Sequence, residues 1–302
     1  MLSEVVGWVQ GKIELAVDRF PIWESPGGPA KGPSLRKERD RLGHPPGVRV
    51  DFMRLSAPMS FDGIHEKLKR ADGNIVNLQA EVSRFFQECE YPVMPKVQDK
   101  EHTKALAYYK SMKIPLRFSV LSGEIVHHLR SCLDHIIWEL SDEPTRSSKD
   151  GIYLEFPILD TRPTPETEGS RYSRKVKGVT SVAALKIIGE LQPYNRIPAD
   201  SDPLWIIHKM DIADKHRELV ITQPSGHIEA PFDIVRNVYR HLLLKQRLST
   251  NSIRDLDQYG RITPQISFRD FSGRIAEPIV PKLEQLTRHV QEVVERFEKI
   301  IV

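Results

Sequence analysis

Residues 117–140 read RFSVLSGEIVHHLRSCLDHIIWEL, and this run decides the fold. At 100° per residue Phe118, Ile125, Leu129, Cys132, Leu133, Ile136 and Leu140 fall on one side, so one long core helix is predicted over 116–140. Glu124, His128, Ser131 and His135 form a narrow polar stripe roughly 110–120° from the centre of that side. Arg130 borders the apolar side on its other edge, about 140° from His135. Glu124, His127, His128, Arg130, Asp134 and His135 crowd into twelve residues, and three of them are histidine, the side chain best placed to exchange protons near neutral pH. The stripe is compatible with a solvated face, with Arg130 a partly buried pairing residue. Neither Arg130 nor His135 belongs to the apolar side, so replacing either is expected to spare stability.

A second polar-loaded helix is predicted at 203–219, PLWIIHKMDIADKHREL, opening on Pro203 at a favoured first-turn position. Leu204, Trp205, Ile206, Ile207, Met210, Ile212 and Ala213 point nearly all round it, which implies buried first turns. Through them runs the line His208, Asp211, Lys215, with Asp211 and Lys215 at an ion-pair spacing. Buried polar groups need partners. Two arrangements supply them: a salt-bridge network locking this helix to 116–140, or a cleft shared with Glu124 or His135. Both make the two helices neighbours.

Around these helices the pattern predicts a helical seam at 62–88 (Ile64, Leu68, Ala71, Ile75, Leu78, Val82, Phe85), with Gly73 a weak point. Further helices are expected at 181–191, 232–244 and 277–301, and short strands at 156–158, 219–222 and 265–268. Tyr91–Val97 and Thr103–Met112 are expected to form a β-hairpin about a charged turn, and 143–170 is otherwise a Pro-, Thr- and Ser-rich loop. The expected class is α+β, mainly α: a helical bundle with a small antiparallel β element. Strand–helix alternation and a Gly-rich phosphate loop are both missing, which argues against a doubly wound sheet.

The formal charge of +3 over 302 residues is compatible with nucleic acid without demanding it. Two cysteines, Cys89 and Cys132, exclude a disulfide framework or a cysteine-only zinc site and suit a reducing cytoplasm. No signal-peptide pattern or membrane span is predicted, so a cytoplasmic protein is expected. Residues 21–48 hold eleven Gly or Pro and the charge run Arg36–Arg41, the composition of a flexible linker. Residues 4–19 have the spacing of a short amphipathic helix (Val5, Trp8, Val9, Ile13, Val17). Met59 then precedes a capped helix start, dividing the chain into an extension and linker, 1–58, and a helical domain, 59–302.

GEIVHHLRSCLDHIIWEL, LQPYN at 191–195, PLWIIHKMDIADKHREL and the closing helix resemble a widespread group of uncharacterised bacterial proteins. In that group a Leu-Arg-Ser-x-Leu-Asp-His-x-x-Trp motif precedes Asp-Lys-His-Arg, and the resemblance covers roughly residues 59–302. More distantly the chain resembles the HEPN superfamily of helical nucleases and nucleotide-binding proteins, whose catalytic members carry Arg, four residues, then His. Arg130 to His135 meets that spacing, with Ser131 in place of the usual Asn. Arg236 to His241 meets it again, with the usual Asn at 237, and Arg39 to His44 meets it within the linker.

The resemblance implies a metal-independent endoribonuclease without cofactor, working as a homodimer on RNA in a toxin or phage-defence system, with an antitoxin or defence-complex partner. His135 would be general acid or base at the ribose 2′-hydroxyl or leaving oxygen, and Arg130 would hold the phosphate. Glu124, His128, Asp134, His208, Asp211, Lys215 and His216 are the supporting candidates, and Arg236 with His241 a weaker second motif. Two alternatives stay open. One is a non-catalytic helical binding or dimerisation module. The other is a metal-binding bundle, using the Glu124-x-x-His127 unit or His128 or His135 with His208 and Asp211. A chain beginning at Met59 is expected to keep the melting temperature of the full chain, measured by thermal denaturation; a large drop would mean that the extension packs into the core.

Overall fold

The structure is a computed structural model that describes residues 60–96, 98–163, 172–216, 222–230, 232–243, 249–268 and 277–300. The extension 1–58 and its expected helix and linker therefore lie outside the described residues. The fold is mainly helical. Its frame is α1 (Asp62–Gln87), α2 (Lys100–Ser111), α3 (Leu116–Leu140), α4 (Val182–Glu190), α5 (Pro203–His216), α6 (Phe232–Leu243), α7 (Thr250–Tyr259) and α8 (Ile279–Glu298).

The predicted helix at 116–140 forms over those residues, and every member of its apolar side is buried. Val126, Ile137, Ser122 and Gly123 are buried as well, because α3 is packed on more than one flank. α1 runs antiparallel along one flank. Cys132 Sγ donates to the Ile64 carbonyl at 3.7 Å, Asn74 Nδ2 to Glu124 Oε2 at 3.5 Å, and Arg117 pairs with Glu81 at 2.6 Å. Gly73 does not interrupt α1, because Leu68, Ala71, Ile75 and Leu78 are all buried against α3 and its neighbours and that packing outweighs one poor helix former. α8 closes the bundle on α1 and α3, with His65 to Glu298 at 2.6 Å and Gln291 to Asp72 at 3.3 Å marking an antiparallel α1–α8 pair. α5 packs against α3, as its polar line requires.

A second, smaller core joins α2, α6, α7 and β2 through Met94, Ala105, Leu106, Tyr109, Val238, Ile253, Leu256 and Ile262. The β-hairpin expected at 91–112 is not found. His102, Ala105, Leu106 and Tyr109 are buried at helical spacing, and that periodicity overrides the β preference of the tyrosines. α7 is an element the sequence pattern did not announce; Ser249 caps it by accepting from the Ser252 N–H at 3.1 Å. β1 (Thr222–Glu229) pairs antiparallel with β2 (Arg261–Phe268). The segment expected as a strand at 156–158 joins no ladder.

Candidate functional site

Phe156 is fully buried and meets the Phe297 ring edge-on at 6.3 Å, which drags its peptide into the bundle. Buried backbone polar groups must be paired, and with no neighbouring strand α3 supplies the partners. Arg130 Nη2 donates to the Phe156 carbonyl at 3.0 Å, and Asp134 Oδ1 accepts from the Phe156 N–H at 2.9 Å. The same two side chains pair at 3.0 Å, one helical turn apart. Gln192 repeats the device: its Nε2 donates to the Pro157 carbonyl at 2.8 Å, and its Oε1 accepts from the Leu159 N–H at 3.1 Å. Burial pushes the Asp134 carboxyl up, against the downward pull of Arg130 and the Phe156 N–H. Arg130 keeps 3% of its surface exposed, so it is part of the packing rather than a free cation. The expectation that its loss spares stability is corrected: the edge of the apolar side is covered by the 155–159 segment.

The flank of α3 that faces α5 is a second polar seam. Asp211, buried, takes His127 Nδ1 at 3.2 Å on one oxygen and Lys215 Nζ at 2.8 Å on the other. Gly123 lets the helices close, because a Cβ there would stand 2.4 Å from Asp214 Oδ1. His208 lies farther along the seam. Burial, then the charges of Arg130, Lys175 and Lys209, push its imidazole down to about 4, with Glu155 opposing. His208 Nδ1 and Arg130 Nη1 are both buried without a hydrogen-bond partner among the described residues.

His128 and His135 belong to the opposite flank, along the groove between α1 and α3. Burial and then Lys67 of α1 lower the pKa of both imidazoles. His127 and Arg70 add to the lowering at His128, while Glu124 opposes it there and Glu139 opposes it at His135. Glu124 is exposed beside Asn74. The charged groups acting on His135 are Lys67 and Glu139, and those acting on His208 are Arg130, Lys175, Lys209 and Glu155. Arg130 and His135 leave α3 about 140° apart, and His208 lies within reach of the Arg130 charge, so His135 faces away from both.

Among the remaining candidates, Lys215 is spent on Asp211, and the His216 side chain lies outside the described residues. Arg236 is exposed on α6, 3.4 Å from Asp233, and the His241 side chain lies outside the described residues. The ligand set of His128 or His135 with His208 and Asp211 is not assembled; among the described residues no group of three or more His, Cys, Asp or Glu is placed to hold a metal ion. No helix among the described residues is long and apolar enough to cross a membrane. Lys67 and Arg70 were not singled out by the sequence; two cations three residues apart on a helix carry no signal until α1 is known to lie beside the histidines. No protein-family model, curated protein or solved structure matches the chain.

Arg130→Ala is expected to lower the unfolding free energy by about 2–4 kcal/mol, since it leaves Phe156 O and Asp134 without their partner in a buried site. His135→Ala, on an exposed face, should change it by less than about 0.5 kcal/mol. Urea denaturation measures both, and equally small losses would mean that the clamp on Phe156 contributes little.

His208 is neutral in the folded chain near pH 6 but takes up a proton in the unfolded chain below its ordinary value of 6.5. Folding is therefore fully supported above about pH 6.5 and loses free energy as the pH falls towards about 4. His128, His135 and His289, lowered first by burial, act in the same direction. His208→Gln should remove about 1–2 kcal/mol of the loss between about pH 7 and 5, read from melting temperatures at both values. An unchanged pH slope would place the acid sensitivity elsewhere.

Proposed function

We propose that the protein is a HEPN-like, metal-independent endoribonuclease working from the α1–α3 groove, with His135 as a proton-transferring group. The observation that supports this is the company of the histidines: His128 and His135, on one face of α3, both sense Lys67 of α1, and Arg70 adds its charge at His128. Cleavage of RNA by its own 2′-hydroxyl needs a group to take a proton and fixed positive charge to meet the phosphate. A groove with two imidazoles and two cations offers both. The phosphate-holding role falls to Lys67 and Arg70, because Arg130 is engaged with Phe156 and Asp134. A homodimer, RNA as partner, and a toxin or phage-defence setting in the cytoplasm belong to the same proposal and rest on the resemblance of the 116–140 and 203–219 motifs. The burial of Arg130 also favours a second reading, a non-catalytic helical binding or dimerisation module.

The test is cleavage of end-labelled RNA by the purified full chain with EDTA present. Cleavage should persist, yield products ending in a 2′,3′-cyclic phosphate, and fall by about 100-fold or more in His135→Ala, with Arg236→Ala unaffected. RNA that is bound but not cut would select the binding module. Activity lost in EDTA and restored by a divalent ion would replace the metal-independent mechanism.

A further inference from the structure

We propose that His128 is the second proton-transfer residue of this groove and Lys67 the cation serving both histidines, making a two-histidine site for transfer at an RNA phosphodiester; this rests on the ribonuclease reading above. His128 and His135 are seven residues apart on an uninterrupted helix. Seven residues are two turns, so the side chains leave the same side of α3 about 10.5 Å apart along the axis. A phosphodiester opened in line needs one group at the 2′-oxygen and one at the 5′-oxygen. With a hydrogen bond of about 2.8 Å at each end, the span from ring nitrogen to ring nitrogen is roughly 9 Å. Two imidazoles leaning slightly together meet that span. Arg130 and His135, on opposite flanks of α3, do not.

The antiparallel pairing of α1 with α3 brings the cations to the right level. Contacts from Cys132 to Ile64 and from Glu124 to Asn74 bracket Lys67 and Arg70 opposite the stretch that carries His128. The charges facing the pair are Lys67 and Arg70 from α1, with Glu124, His127 and Glu139 on α3 itself. His128 is half-buried with Nδ1 withdrawn from water, and His135 is exposed. Lys67 favours the neutral imidazole, the form that accepts a proton. A bound phosphate offsets Lys67 and Arg70 and favours a proton on the other ring.

The step balances without water, metal or oxidant. Neutral His135 takes the proton of the 2′-hydroxyl as the 2′-oxygen bonds to phosphorus. The phosphorus–5′-oxygen bond breaks, and protonated His128 gives its proton to the departing 5′-oxygen. A 2′,3′-cyclic phosphate and a 5′-hydroxyl result; His135 then gives up to solvent the proton it took, and His128 regains one from solvent.

The experiment compares the full chain with His128→Ala, His128→Gln, His135→Ala, Lys67→Ala and Lys67→Arg on two substrates: a short RNA, and uridine 3′-(4-nitrophenyl) phosphate, whose leaving group departs without a proton. On RNA, both His128 variants should lose about 100-fold or more in kcat, and the alkaline limb of their bell-shaped pH profile, where the general acid loses its proton, should disappear. On the nitrophenyl ester the His128 variants should regain activity to within about tenfold of the parent, while His135→Ala stays inactive on both. Lys67→Ala should be impaired on both substrates and partly rescued in Lys67→Arg. His128 variants that cut RNA like the parent, with His135→Ala inactive, would overturn this inference and leave the ribonuclease reading standing. Loss of both substrates in His128→Gln, with its melting temperature unchanged, would overturn the leaving-group role. A parent chain that cleaves neither substrate would overturn both proposals.

Discussion

The grip of Arg130 and Asp134 on the two polar groups of the Phe156 peptide is the constraint on which the rest of the bundle depends. Burying the Phe156 ring against Phe297 contributes on the order of 2–3 kcal/mol. The ring cannot enter without its backbone, and an unpaired buried N–H and C=O would cancel the gain. A neighbouring strand is the usual remedy. Here a helix provides a guanidinium and a carboxylate one turn apart, and Gln192 extends the arrangement to Pro157 and Leu159. Asn195 in turn donates to the carbonyls of Gly189 and Glu190 at the end of α4. The most polar residues of the LRSCLDH and LQPYN phrases are thus in large part structural.

α3 therefore serves two purposes on two flanks. One, with Arg130, Asp134 and the His127–Asp211–Lys215 network, ties the long loop and α5 to the core. The other presents His128 and His135 to Lys67 and Arg70. Gly123 belongs to the first flank, because its missing side chain admits Asp214 and lets α5 lie close. The density of polar residues on α3 is the sum of two sparser patterns, each with its own neighbours.

This superposition also sets what was legible in the sequence. The span of α3, the α3–α5 neighbourhood and the buried line of α5 follow from periodicity and from the rule that buried polar groups need partners. Locking by Asp211 was one of the two arrangements that rule allowed. The role of Arg130 was not legible, because its partner is a backbone carbonyl 26 residues away in a loop, and no spacing encodes that contact. The groove cations were not legible either, since only the antiparallel packing of α1 turns Lys67 and Arg70 towards histidines far along the chain. Thr103–Met112 was expected as the second strand of a hairpin, while the buried seam His102, Ala105, Leu106, Tyr109 has the spacing of a helix.

The stretch from Glu155 to Leu159 joins no sheet: the side chains of Arg130, Asp134 and Gln192 hold its middle, and backbone bonds from Glu155 to Lys175 and from Tyr194 to Leu159 hold its ends. The hold on its buried middle is concentrated in those three side chains rather than spread along a ladder. A lesion at any of them leaves backbone groups of the apolar FPIL run unpaired inside the bundle, while Pro157, which has no N–H to offer, limits the pairing of that run with another chain.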